Sequence, residues 1–447
     1  MNVLLRSPFG ILLAKPWVDG VGLFALRRWY MPLSRLWAAA NQAGADPARF
    51  REQAGAVPAF WSDSRLGVLL GRHDRLRHAA DAARARWETA IFDPAGDADA
   101  GTLDDRRRTA ATRHLMTRTA FYPLLFPHPP SATRWQIDPP DRMPVPDVAA
   151  LYDTPLDVRS IEISRPFVRD GLREYWLRAP APSVLLRARC GSGTMYAHVT
   201  EPAGTAAGET LIQGSGLCLE FELLAASCDP GRRLAAMGWR VIEPISPYHG
   251  LRTMPGFYGG EPFFALAPNA ALDLIAGQAL ETALLTAWAR DRFGGRVALS
   301  GISMSSFVAQ QVASHCGRWP IGTRPDGVLL ISHSGRLEDV VFDGALGASL
   351  GIDRAMRAAG WSRESLTHLS EVIDPAGEPA LAPSRIVSVL GETDRWVPYE
   401  DGLALARRWN LPENNVFRYR LGHLGMPVQL MRDPAPFARL RQVLYGA

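Results

Sequence analysis

Lysine is nearly missing: Lys15 is the only one in 447 residues, so arginine supplies 48 of the 49 basic side chains. A skew that complete reflects coding composition rather than guanidinium chemistry. With a net charge of only +4 it gives no reason to expect a nucleic-acid partner. Cysteine is also scarce. Cys190, Cys218, Cys228 and Cys316 are scattered, with no Cys-x-x-Cys and no histidine pair at zinc spacing, which excludes a disulfide scaffold and a structural metal site. A reducing, cytoplasmic setting is the expectation. No window reaches the 18 or so consecutive apolar residues of a membrane span. The opening apolar runs are broken by Arg6, Pro8, Lys15, Pro16 and Asp19, which makes a poor secretory signal. There is no Walker phosphate loop, no His-Glu-x-x-His and no internal repeat, and no cofactor or metal is expected.

What is present is an ordinary globular composition, 47% hydrophobic and 21% charged, in a chain long enough for two or three domains. The basic excess sits early: residues 1–120 hold 18 Lys and Arg against 12 Asp and Glu. This part reads as helices and loops. Trp17, Phe24, Trp29, Tyr30, Leu33, Leu36 and Trp37 crowd among Arg27, Arg28 and Arg35, with Pro32 dividing one helix into two. Such segments usually pack on a neighbouring domain with their arginines in solvent; the alternative is peripheral membrane contact through residues 1–45. Apolar residues at spacings of three and four predict a helix over 74–92, an acidic loop follows over 94–104, and an arginine-rich helix spans about 105–118. Eight prolines between Pro123 and Pro146 predict a wrapping segment. We expect a helical N-terminal extension over 1–157, a second, strand-containing domain over 158–447, and a cap insertion over 335–384.

From residue 158 the pattern turns to strands at Ile161–Ile163, Tyr175–Leu177, Val184–Leu186 and Met195–Val199, the antiparallel leading edge of a mixed sheet. After Gly208 strands alternate with helices, as in a parallel doubly wound sheet. Leu211-Ile212 leads into Gln213-Gly214-Ser215-Gly216, a helix is predicted from about Leu219 to Met237, and a strand follows at Trp239–Glu243. A long helix spans about 270–292. Val297–Ser300 then runs into Gly301-Ile302-Ser303-Met304-Ser305 and a further helix.

That turn is one residue away from the Gly-x-Ser-x-Gly nucleophile elbow of α/β-hydrolases, in the strand-turn-helix context the motif needs. Ser303 is the candidate nucleophile. Ser305 stands where glycine is usual, and its Cβ is expected to push the helix outward at a cost of about 1 kcal/mol. A serine hydroxyl needs a base held in one tautomer by a third group. In this fold the acid and then the base follow the serine, each beyond a later strand. Ile386–Leu390 is followed by Glu392 and Asp394, and Val416–Tyr419 by Gly422-His423. Asp394 is the natural orienting carboxylate, with Glu392 the alternative, and His423 the natural base; His315 and His333 lie mid-helix and at a strand end. Oxyanion donors are expected from the amide of Met304 and from Gly214 or Ser215.

With these residues in view, residues 210–447 resemble the α/β-hydrolase domain-containing protein 18 group. The resemblance rests on Pro247-Tyr248-His249-Gly250-Leu251-Arg252, where the group has Pro-Tyr-Tyr-Gly-x-Arg, on Gly301-Ile302-Ser303-Met304-Ser305, and on the segments holding Asp394 and His423. It implies an α/β-hydrolase fold and a serine hydrolase, with Tyr248 and His249 on the pocket wall. Lipid-like acyl esters are the substrates suggested by the aromatic, basic N-terminal helices. A protein that has lost efficient catalysis and binds a hydrophobic ligand or partner in the same pocket is the alternative. The two part at Ser305: if it blocks the turn, Ser303 will not face His423.

Overall fold

The computed structural model describes residues 17–446 apart from 56, 59, 127, 128, 130, 144, 145, 154, 155, 205–207, 219 and 221–228. Residues 1–16 of the 1–45 segment, and the start of the helix expected from Leu219, lie outside the described residues.

The chain begins with helices α1 (Trp17–Ala25), α2 (Met31–Ala43), α3 (Pro47–Ala54), α4 (Asp63–Ile91) and α5 (Ala100–Leu115). Their starts are written in the sequence. Asp46, Ser62 and Asp99 each accept backbone amides of the following turn, and Pro47 takes a first-turn position where no amide is missed. The predicted break at Pro32 is milder than expected. Pro32 offers no N–H to the carbonyl of Arg28, and the chain answers with a wider turn over Leu26–Tyr30, where Met31 N–H reaches the carbonyl of Leu26. α4 extends eleven residues further back than the periodicity indicated, and α5 begins inside the expected acidic loop, at the Asp99 cap.

Ten strands form one sheet: β1 (Glu162–Ile163), β2 (Phe167–Arg169), β3 (Leu172–Pro180), β4 (Thr194–Pro202), β5 (Thr210–Gln213), β6 (Arg240–Pro244), β7 (Val297–Ile302), β8 (Gly327–Ile331), β9 (Ile386–Gly391) and β10 (Val416–Tyr419). The order is β1-β3-β4-β6-β5-β7-β8-β9-β10, with β2 also on β3. β1 to β4 and the β4–β6 pair are antiparallel; β6-β5-β7-β8-β9-β10 are parallel throughout. With a strand–turn–helix elbow at the carboxyl end of a central strand, this is the α/β-hydrolase fold, carrying a helical N-terminal region.

The predicted strand at Val184–Leu186 is instead a helical turn, Val184–Arg187. Pro180 and Pro182 end β3, and Leu186 turns into the core, its Cδ1 lying 2.4 Å from where a Cβ on Gly277 would stand. Tertiary packing overrides the β-propensity of one valine and two leucines.

The central parallel strands β6, β8 and β9 are buried on both faces, so their sequences are apolar runs whose alternate residues feed two cores, while the edge strand β10 is only half-buried. Ile212, Val297, Leu299, Val328 and Leu330 face the larger one, with helix α6 (Asn269–Phe293); Leu211, Ala298, Leu329 and Val387 face the smaller, with helix α9 (Ala435–Val443). α6 is long and apolar enough to span a bilayer, but 94% of its apolar window is buried in the protein. Inside it, Glu281 meets Arg252 in a two-pronged pair at 2.8 and 2.9 Å, neither side chain exposed. Between α6 and α9 in sequence lie helix α7 (Met304–His315), helix α8 (Tyr399–Arg408), and five short helices spanning Leu337–Ile373 between β8 and β9, among others.

The N-terminal helices share this core: Met31 and Ala38 belong to the larger cluster. Arg35, 3% exposed, reaches across to Glu261 at 3.1 Å and to the Gly256 carbonyl at 2.7 Å.

Candidate active site

β7 delivers Ser303 at its carboxyl end with φ of 53° and ψ of −116°, outside the regions an ordinary side chain adopts. The strain is held by the Ser303 amide, which donates to the Ile331 carbonyl of β8 at 2.9 Å, and by α7 leaving at once from Met304. Gly301 is needed because a Cβ there would come within 2.3 Å of the Ser305 carbonyl oxygen. The outward push expected from Ser305 has an outlet. Its side chain lies against Gly214, where a Cβ would stand 2.6 Å from the serine Cβ, and its hydroxyl accepts the Ile302 amide at 2.9 Å. One missing glycine in the elbow is matched by a glycine across from it.

The strand ends bring the other two residues in. Asp394 follows β9; its Oδ1 accepts the amides of Trp396 and Val397 at 2.9 and 3.1 Å, leaving Oδ2 for His423 Nδ1 at 2.7 Å. A carboxylate only accepts, so Nδ1 carries the proton and Nε2 faces the Ser303 hydroxyl at 3.0 Å. Glu392 points away, pairing at 3.7 Å with the exposed Arg420. Trp396 stacks on the His423 ring with centroids 5.1 Å apart. Burial disfavours the imidazolium, but Asp394 first and Asp19 after it outweigh this, and the His423 pKa lies above the usual histidine value.

The Met304 amide opens α7, where helical geometry leaves it no intrahelical acceptor, and it follows the serine directly. Gly214 does not fit the donor role expected of it: its amide is spent on the Ser300 carbonyl at 2.7 Å, extending the β5–β7 ladder by one residue. Among the described residues the Ser215 amide has no backbone acceptor, which makes it the member of that pair left to donate. Tyr248 and His249 are likewise not wall residues. Tyr248 is fully buried, its hydroxyl donating to Asp273 at 3.3 Å. His249 is 3% exposed; its Nδ1 donates to the Pro247 carbonyl and its Nε2 accepts the Cys218 amide at 3.1 Å, so it braces the loop beyond Ser215 from behind. Burial holds the pKa of His249 down to about 4, and it stays a neutral acceptor. His315 stacks on Tyr152, and His333 bonds Ser388 within the sheet.

Asp19, on α1, is the residue that sequence reasoning passed over. Its carboxylate accepts the backbone amides of His423 at 2.6 Å and Leu424 at 2.9 Å. Nothing local marks it. The one trace is Gly422, at which a Cβ would stand 2.1 Å from Asp19 Oδ2.

An apolar cavity of about 70 Å³ lies between the short helices after β8 and the start of α6, lined by Leu217, Phe263, Phe264, Val341, Met356 and Leu369 among others. Leu217 is two residues beyond Ser215. Glu338 and Asp374 are acidic groups on its wall, and burial raises Asp374 to about 6.

No protein-family model matches the sequence, and no curated protein matches it. Solved structures similar to it include acetyl xylan esterase 1 from Thermoanaerobacterium sp. JW/SL YS485, at 15% identity over 60% of this chain and 87% of that one, TM-score 0.41. A cold-adapted esterase from an Arctic intertidal metagenomic library matches at 15% identity over 62% and 97%, TM-score 0.38. An S-formylglutathione hydrolase from Agrobacterium tumefaciens matches at 14% identity over 62% and 99%, TM-score 0.38.

Proposed function

We propose that the protein is a serine hydrolase that cleaves carboxylic esters through an acyl-enzyme on Ser303. The observation that carries this is the unbroken line from Ser303 Oγ to His423 Nε2 at 3.0 Å and from Nδ1 to Asp394 at 2.7 Å, at a serine held in an elbow conformation. His423 takes the hydroxyl proton as Ser303 Oγ attacks the ester carbonyl, and Asp394 fixes the tautomer and stabilises the imidazolium. The developing oxyanion is met by the Met304 amide, aided by the N-terminal end of α7, and by the Ser215 amide. The proton passes to the leaving alkoxide; water, activated by the same histidine, then releases the acyl group. The apolar cavity beside Leu217 favours an apolar acyl chain, and the exposed aromatic residues of α1 favour substrates presented at a lipid surface. The motifs at Pro247–Arg252 and at the elbow favour placement near the α/β-hydrolase domain-containing protein 18 group.

The test is labelling with a fluorophosphonate probe. The wild type should label, Ser303→Ala and His423→Ala should not, and Asp394→Asn should label about 10⁴-fold more slowly. A folded wild type that stays unlabelled would sink the hydrolase and leave the ligand-binding reading.

A further inference from the structure

We propose that Asp19 is a positioning residue of the active site, holding the His423 turn from outside, so that the N-terminal helix completes the catalytic apparatus. The inference deepens the hydrolase reading and rests on it.

The turn after β10 carries His423 between Leu421 and Gly425, and the backbone amides of His423 and Leu424 turn to α1. Both end on one carboxylate, one on each oxygen, and that carboxylate is only 7% exposed. A buried acid satisfied by two charge-assisted bonds fixes the peptide plane that carries the imidazole. Three side features have been shaped around it. Gly422 lacks the Cβ that would strike Asp19; Leu424 Cδ1 fills the space left by the missing side chain of Gly22; and Trp396, whose Cζ2 borders that same space, stacks on the imidazole. The same N-terminal stretch grips the second loop of the site, with Tyr30 donating to the Cys218 carbonyl at 3.2 Å.

Position is half of the effect and charge is the other half. The charged groups facing the imidazole are Asp394, on its Nδ1, and Asp19, behind its backbone; both favour the imidazolium that forms as Ser303 gives up its proton. Burial raises the Asp19 pKa, the two amides and His423 work against that, and Asp394 adds to it. A residue that only glued α1 in place would hold the helix without altering the titration of His423.

The experiment follows the His423 ring by NMR against pH in the full-length wild type, Asp19→Asn and Asp19→Ala, its signal assigned by its loss in His423→Ala, with thermal melting and fluorophosphonate labelling run beside it. The expected result is a lower His423 pKa in both variants, larger in Asp19→Ala, and labelling slowed about 10- to 100-fold, the size expected when a reacting group shifts by about 1 Å. Gly422→Ala, which must displace the carboxylate without removing it, should give the same pair of changes and serves if Asp19→Ala fails to fold. A His423 titration that overlays the wild type in the folded variants overturns the proposal. A wild type that never labels, but whose His423 titration still moves when Asp19 is changed, overturns the hydrolase reading and leaves the positioning role standing.

Discussion

Two aspartates hold His423, and they come from opposite ends of the chain. Asp394 lies 29 residues before the histidine, Asp19 lies 404 residues before it. The nearer one sits beyond the strand adjacent to that of the histidine, so the alternation of strand and helix already forces the two loops to meet. The farther one arrives on a helix of a region with its own internal packing. The difference teaches that the parallel sheet specifies the edge where Ser303, Asp394 and His423 meet, while the helical N-terminal region is fitted to that edge by contacts no periodicity announces. The two regions should therefore fail under different conditions.

Acid separates them most sharply. In the N-terminal helices, His73 and His114 both point Nε2 at the side-chain Oδ1 of Asn41 at 2.9 Å. Burial, with Arg77 next for His73 and His73 next for His114, holds their pKa values down to about 4 and about 3. The unfolded chain binds these protons near the usual histidine pKa and the folded one does not. Their stabilisation is therefore complete above about pH 6.5 and is lost as pH falls through 4, about 3 kcal/mol for His73 alone. His198, under the antiparallel edge of the sheet, has the opposite sign. Although burial opposes its charge, Glu174 and Glu243 raise its pKa, so its contribution is present below the usual histidine value and fades as pH rises through the folded one. Burial also holds down His249 and His315, to about 4, and His333, to about 3, so acid loads the sheet region as well. What sets the N-terminal helices apart is that His73 and His114 share one acceptor with ring centroids 5.0 Å apart, so protonation puts two like charges side by side. Hydrogen exchange at pH 7 and pH 4 should show α2, α4 and α5 losing protection before the sheet strands. Simultaneous loss across both regions would break the comparison.

The elbow offers a test confined to the sheet. Gly214→Ala should cost about 1–3 kcal/mol, because its Cβ would stand 2.6 Å from Ser305 Cβ. Ser305→Gly should recover most of it, a coupling that a double-mutant cycle in denaturant measures directly. If the two changes simply add, Ser305 is accommodated by something other than Gly214.

How much of this could be read in advance follows the same division. Strands β5 to β7, β9 and β10, the elbow and the strand-end positions of Asp394 and His423 were legible because each is a local pattern placed by a topological rule. Val184–Leu186 misled because three residues carry little periodicity and Leu186 is drawn in by Gly277. Tyr248 and His249 read as wall residues on resemblance alone, yet burial turned them into internal braces. Asp19 had no local sign, and Gly422 has meaning only once the helix lies beside it.

The smallest expected effect lies on the outer face of the helix that carries Asp19. Trp17, Val21 and Phe24, spaced four and three residues apart, are 59%, 56% and 57% exposed, and Arg27 is exposed one residue before the wider turn's second arginine. One face of α1 thus holds the base of the site while the opposite face offers apolar side chains beside positive charge, the pairing that suits an anionic lipid surface. Replacing Trp17, Val21 and Phe24 by serine should cost no more than about 2 kcal/mol, since the edge-on contact of Phe24 with Trp29 is lost but no buried core residue is touched. It should still weaken sedimentation with anionic vesicles, and wild-type binding should fade as salt screens the arginines. Wild-type protein that ignores both lipid charge and salt would make α1 an internal fitting alone, its reach ending at His423.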